Sequence, residues 1–105
     1  MKLENYDNYV LVSIYNINDF DELVNLLEGG SLQNTNMIIN FLKCDIDHNI
    51  AVNKLLPFHF IWQKRNNSFI LVSKISRKIT KELISIATLE EARDYFHMEQ
   101  LTKNI

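Results

Sequence analysis

Four residues whose side chains can take part in catalysis or metal binding lie together near the middle of the chain. Cys44, Asp45, Asp47 and His48 fall within five residues, directly after an apolar run. A thiol with an imidazole is the pairing of a cysteine nucleophile and its base, and carboxylates with an imidazole are common metal ligands. The segment is therefore a candidate reaction centre, a candidate metal site, or a surface loop without chemistry.

The chemical interpretations of this segment are the weaker ones. A single loop supplies all the ligands, whereas two-metal hydrolytic sites draw on separated His and Asp clusters. A cysteine nucleophile needs a histidine base held by a third group, and no pattern in the sequence directs His48 toward Cys44. We predict no catalytic residue, no metal and no cofactor. Cys44 is then a buried thiol at a strand end, and Asp47 or Asn49 is the N-cap of the next helix.

Length and composition limit the class of protein. The chain has 105 residues, 47% hydrophobic and 23% charged, which fits one domain over residues 1–105 with a single core. A net charge of −2 gives no field to attract nucleic acid, and no apolar run is long enough to span a membrane. The polar, acidic start lacks the pattern of a secretory signal, and one cysteine cannot form an internal disulfide. We expect a cytoplasmic protein that binds neither nucleic acid nor membrane.

The helix that precedes the segment has the clearest periodicity. Its apolar residues recur at helical spacing, at Phe20, Leu23, Val24 and Leu27. Asn18 is placed to cap its start, and Gly29 and Gly30 are placed to end it. The chain has no other glycine, and phosphate-binding loops need spaced glycines. Walker and dinucleotide-binding motifs are therefore absent from the sequence.

Five runs predict the strands of one sheet. Residues 3–6 and 9–14 form an N-terminal hairpin, and the near-continuous apolar run 37–42 is typical of a central strand covered on both faces. Residues 69–72 and 83–86 are predicted to add further parallel strands. The segment with the cysteine and the aspartates thus follows the central strand.

A helix is predicted over residues 50–65, between two of the inner strands. Pro57 interrupts it, so either the helix kinks or its regular part begins at that proline. Trp62 is expected in the core, but the aromatic residues at 58, 60 and 62 cannot all point inward. An aromatic residue that remains exposed there would mark an interface.

The end of the chain completes an α/β pattern. A short helix is predicted over residues 76–82, within a basic stretch that we interpret as a solvated connection. The last helix starts with a capping box formed by Thr88 and Glu91. The fold class is α/β, with a mixed four- to five-stranded sheet, an N-terminal hairpin and about four helices.

Three stretches resemble the STAS domain, the family of bacterial anti-sigma-factor antagonists and of sulfate-transporter tails. MIINFL at 37–42 is similar to the strand that ends in Asp-Leu-Ser, and SFILVSKISRKITKELI at 68–84 to the late strand, short helix and next strand. IATLEEARDYF at 86–96 resembles the family's terminal Thr-x-x-Glu-Ala helix, and it is the most distinctive match. A closer likeness is to short STAS-like proteins that are named together with ribonuclease Z.

The resemblance also gives a reading of the opening segment. In STAS antagonists the turn after the central strand carries Asp-Ser-Ser-Gly, whose serine a partner kinase phosphorylates, and that tetrapeptide aligns with residues 48–51. No serine or threonine lies between Thr35 and Ser68, so the modified residue is missing. Asp45 and Asp47 place fixed negative charge on the same loop. The resemblance therefore implies a degenerate phosphoswitch and a constitutive binding surface.

The function that follows is protein binding without catalysis. The partner is expected to contact the loop and the start of its helix, at Cys44, Asp45, Asp47, His48, Asn49, Asn53 and Lys54. The resemblance implies a kinase-like anti-sigma factor as the partner. One alternative is an accessory protein of an RNA-processing enzyme such as ribonuclease Z, and another is a small enzyme that uses Cys44 or a metal.

Overall fold

A computed structural model describes residues 1–30, 32–73 and 83–103, which form one five-stranded sheet with helices on both faces. In chain order the elements are β1 (Lys2–Asn5), β2 (Val10–Ser13), α1 (Ile17–Glu28), β3 (Met37–Asn40), α2 (His48–Lys64), β4 (Phe69–Val72), β5 (Ile84–Ile86) and α3 (Leu89–Lys103). The strands lie side by side in sequence order. β1 is antiparallel to β2, and every other neighbouring pair is parallel.

This architecture confirms the α/β class, the mixed five-stranded sheet and the N-terminal hairpin. The described residues contain three α-helices, one fewer than the four or so predicted. The short helix predicted over residues 76–82 and its basic stretch lie outside the described residues. No helix in the described ranges is both long and apolar enough to cross a bilayer.

The sheet separates two hydrophobic clusters. α1 and α2 pack on one face, and α3 packs on the other. α1 connects β2 to β3 and α2 connects β3 to β4, so both connections move across the sheet in the same direction. Because such crossovers are right-handed, both helices lie on the same face. α3 follows the last strand and makes no crossover, so this rule does not restrict it.

β3 lies at the centre of the sheet, as its apolar run predicted. Met37 and Ile39 face the cluster under α1 and α2, while Ile38 faces the cluster under α3. All three side chains are fully buried. A strand with helices on both sides needs apolar residues at every position, which is why it lacks polar alternation.

The predicted apolar stripe of α1 is confirmed, but its predicted cap is wrong. Phe20, Leu23 and Leu27 are almost completely buried. The N-cap is Asn16 and not Asn18, because the Asn16 side chain accepts a hydrogen bond from the Asp19 backbone amide at 2.9 Å.

The end of α1 agrees with the glycine pair. Gly29 is the C-cap, and its amide donates to the Asn25 carbonyl at 3.0 Å. Gly30 has φ of 77°, a left-handed conformation that costs glycine little, and its amide donates to the Leu27 carbonyl at 3.1 Å. The helix therefore ends where the sequence predicted.

α2 runs as one helix through Pro57, so the regular helix does not begin at that residue. Pro57 has no amide hydrogen to donate to the Asn53 carbonyl. Both residues are exposed, so water can donate to that carbonyl instead. Trp62, as predicted, is fully buried and donates its Nε1 hydrogen to the Thr35 carbonyl at 2.9 Å. Phe60 is 40% exposed.

α3 begins one residue after its predicted cap. The Thr88 hydroxyl accepts a hydrogen bond from the Glu91 amide at 3.1 Å, which is one half of the predicted capping box. Ala92 and Phe96 are fully buried against the second cluster. The predicted helix start and its buried face are confirmed.

Candidate functional site

The candidate site lies where the parallel strands end. The carboxyl ends of β2 and β3 meet at one edge of the sheet, and the loops leading to α1 and α2 start there. Asn40 ends β3, and its Oδ1 atom accepts a hydrogen bond from the Leu42 amide at 2.9 Å. The Cys44 amide donates to the Phe41 carbonyl at 3.0 Å, which closes a tight turn. The chain thus reverses within four residues of the central strand.

Asp47 sets the start of α2. Its Oδ1 atom accepts hydrogen bonds from the amides of Asn49 and Ile50, at 2.9 and 3.2 Å. Of the two N-caps that the sequence allowed, the structure therefore selects Asp47. Its carboxylate also lies at the positive end of the helix dipole, where negative charge is favoured.

The predicted partner-binding residues differ in how far they reach solvent. Five of them are exposed, namely Asp45, the cap residue Asp47, Asn49, Asn53 and Lys54. Cys44 is only half-buried, with its side chain packed against the larger cluster. His48 is the first residue of α2. Ile50, which the sequence prediction did not include, is 50% exposed beside these polar groups.

The environment of Cys44 disfavours a nucleophilic role. Burial raises the pKa of its thiol, the negative charges of Asp19 and Asp45 raise that pKa further, and the backbone bond to Ile46 partly opposes them. A nucleophilic cysteine needs the opposite shift, because the thiolate is the reactive form. The thiol is therefore a poor nucleophile, although it is half-buried and not fully buried as the sequence predicted.

Metal-binding groups do not converge at this edge within the described part of the chain. No three His, Cys, Asp or Glu side chains there lie close enough to hold one ion. His59 is 8% exposed on α2 and lies edge-on to Phe69, with ring centroids 6.2 Å apart. It contributes to packing between α2 and β4.

An aromatic and cationic cluster on the α3 face of the sheet was missed in the sequence. The Tyr6 and Tyr9 rings stack with centroids 4.9 Å apart, and the Arg93 guanidinium lies 5.5 Å from the Tyr6 ring centroid. Arg93 donates through Nε to the Tyr9 hydroxyl at 3.1 Å and through Nη2 to the Tyr6 hydroxyl at 3.4 Å. A possible signal was the spacing of Leu89, Arg93 and Phe96, which puts an arginine on the inward side of α3.

A cavity adjoins this cluster. It has a volume of about 300 Å³ and is lined by residues of β1, β2, β3, α3 and the loop after β3, among them Glu4, Ser13, Asn40, Lys43 and Arg93. Charged and hydrogen-bonding groups from four elements thus surround one space at the carboxyl edge. Sequence spacing alone does not reveal it, because these residues are far apart in the chain.

Comparison with known proteins adds no family. A scan against protein-family models finds no match to this chain, and a search of curated proteins finds no similar sequence. The likeness to the STAS domain therefore remains a prediction from the sequence.

Proposed function

We propose that this chain is a non-catalytic, protein-binding regulatory module of the STAS type that has lost the phosphorylatable serine. The observation that carries the proposal is the exposed polar surface formed by the 44–54 segment, directly after the central strand. In STAS antagonists the partner contacts this position, and a phosphoserine there controls the contact. Here the aligned residues 48–51 contain no serine, and Asp45 and Asp47 place fixed carboxylates on the same loop.

The chemistry of the surface supports binding more than catalysis. Asp45, Asn49, Asn53 and Lys54 offer charges and hydrogen-bonding groups to a partner, and Ile50 offers an apolar contact among them. A binding patch commonly combines an apolar contact with a polar surrounding. The raised pKa of the Cys44 thiol lowers the fraction of reactive thiolate, which disfavours a cysteine-dependent enzyme at this loop.

The partner class follows from the resemblance alone. A kinase-like anti-sigma factor or sensor is the first expectation, and a ribonuclease that the chain assists is the second. The two partner classes predict different results in a binding experiment, because only the kinase-like partner requires the 44–54 segment. A variant of that segment therefore separates them.

The test is affinity capture from the native host with the unaltered chain and two variants, followed by mass spectrometry. His48→Glu plus Asn49→Asp adds two negative charges in the first turn of α2, where they do not oppose the helix dipole. The control, Asn25→Asp plus Gln63→Glu, adds the same charge at exposed positions elsewhere. We expect the first variant to lose a kinase-like partner by on the order of tenfold, and the control to retain it.

A different capture pattern would contradict the proposal. Recovery of a ribonuclease in equal amounts with all three chains would move the binding surface away from the 44–54 segment. Equal loss with both variants would show a general charge effect in place of a specific surface.

A further inference from the structure

The cavity beside Arg93 is a feature that protein binding at the 44–54 segment leaves unexplained. It lies at the carboxyl edge of the parallel strands and is lined by Leu11 and Leu89, which belong to the α3 side of the sheet. Open α/β sheets bind their ligands at this edge. A volume of about 300 Å³ is enough for a small organic molecule.

Two cations line the cavity from different elements. Arg93 is held in place by two tyrosine hydroxyls and the Tyr6 ring, and these contacts use two of its five N–H groups. Lys43 is exposed and makes no hydrogen bond or ion pair with another described residue. A fixed guanidinium next to a free ammonium is suited to an anion, since little conformational entropy is lost at the guanidinium.

Uncharged donors complete the lining. Asn40 uses its Oδ1 atom as an acceptor for the Leu42 amide, which leaves its Nδ2 hydrogens to donate. The Ser13 hydroxyl, on a residue only 7% exposed, also lines the space. Both groups can donate to the several oxygens of one anion.

The single carboxylate of the lining is already engaged. Glu4 Oε1 lies 3.5 Å from the Lys2 ammonium, and Glu4 Oε2 accepts a hydrogen bond from the Tyr6 hydroxyl at 3.0 Å. Lys2 therefore offsets its charge, and Arg93 with Lys43 leaves about two positive charges for a ligand. That number matches a phosphate monoester, which carries between one and a half and two negative charges at neutral pH, better than a monocarboxylate.

We infer that this cavity binds a small phosphate monoester, with the phosphate between Arg93 and Lys43 and the organic part against Leu11, Leu89 and Tyr15. The guanidinium pairs with two phosphate oxygens and the ammonium with the third. The inference does not depend on the protein partner, because a different set of side chains carries it.

The test is a two-dimensional ¹H–¹⁵N NMR titration of the full chain with sn-glycerol 3-phosphate. The expected result is a saturable shift of the amide signals of Ser13, Tyr15, Asn40 and Lys43, with little change at Lys64. Glycerol and acetate serve as the matched neutral and carboxylate probes, and acetate should need on the order of tenfold higher concentration. Equal response to acetate, or no saturable shift at these amides, overturns the inference.

Variants locate the binding. Lys43→Gln removes one cation and should weaken binding by roughly fivefold, whereas Lys64→Gln, an equal charge change at a distant exposed position, should leave it unchanged. Arg93→Lys keeps the charge but loses the bidentate geometry, so it should also weaken binding. If Lys43→Gln and Lys64→Gln bind the probe equally, the phosphate does not lie in this cavity.

Discussion

At the residue scale, one carboxylate links the start of the chain to the start of α1. Asp19 Oδ1 lies 2.7 Å from the Met1 ammonium nitrogen, and Asp19 Oδ2 accepts a hydrogen bond from the Tyr15 amide at 2.9 Å. The side chain is largely buried. Both hydrogen bonds lower the pKa of the Asp19 carboxyl because they favour its charged form. The bond from the ammonium has the larger effect and the bond from the Tyr15 amide the smaller one.

This pKa predicts how stability depends on pH. A carboxyl whose pKa is lower in the folded than in the unfolded chain stabilises the fold above its unfolded value, about 3.9, and loses that effect as the pH falls through its folded value. Asp19→Asn should therefore reduce the free energy of unfolding at about pH 6, and the difference from the unaltered chain should shrink below about pH 4. Urea denaturation at several pH values measures it.

The control for that prediction is the neighbouring exposed residue. Asp21→Asn removes an equal charge from the same helix and should change stability little at any pH, because its side chain lies in solvent. A destabilisation by Asp19→Asn that keeps its full size at about pH 2.5 would show that packing, and not the charge, is responsible.

Residue-scale contacts were also the hardest to predict from the sequence. Asn16 and Asn18 are equally good caps by propensity, and only the structure shows that the Asn16 side chain accepts from the Asp19 amide. Arg93 meets Tyr6 and Tyr9 across 87 and 84 residues of sequence. No local pattern encodes such a distant meeting, so the cavity beside it could not be predicted.

At the element scale, the start of α2 depends on one cap. Replacing Asp47 by Ala removes the acceptor of the Asn49 and Ile50 amides and should cost about 1 kcal/mol of unfolding free energy. Asp45→Ala is the matched control, since it removes the same charge from the same loop and leaves the cap intact. Its effect should stay within about 0.5 kcal/mol.

Two further outcomes complete the test of the cap. Asp47→Ser retains an acceptor and should recover most of the stability in urea denaturation. Equal losses for Asp45→Ala and Asp47→Ala would indicate that the loop contributes through its net charge and not through the cap.

Elements were largely predictable because their signals are local. Apolar periodicity predicted α1, a near-continuous apolar run predicted β3, and the Thr88 hydroxyl caps α3 as the sequence indicated. α2 was less certain, because a proline in a helix is normally unfavourable. Its continuity depends on tertiary packing, with Leu55 before Pro57 and Trp62 after it both fully buried. That packing is not visible in the sequence around Pro57.

At the scale of the whole molecule, the order of the strands determines which parts open first. β3 has neighbours on both sides and both of its faces are covered, whereas β1 lies at an edge and has largely exposed side chains. The sequence predicted the central position of β3, because a strand without polar alternation is typically covered on both faces. An edge strand with Lys2 and Glu4 is also protected against pairing with another chain.

Hydrogen exchange measured by NMR tests that order directly. The amides of Ile38 and Ile39 should exchange only through global unfolding, so their opening free energy should equal the unfolding free energy from urea denaturation. Amides of β1 should exchange through local opening. After correction for intrinsic rates, they should exchange at least about tenfold faster than the amides of β3. Equal protection of β1 and β3 would mean that the hairpin opens only with the core. Lower protection of β3 than of β1 would contradict its central position, because an amide bonded between two covered strands cannot reach water unless those strands separate.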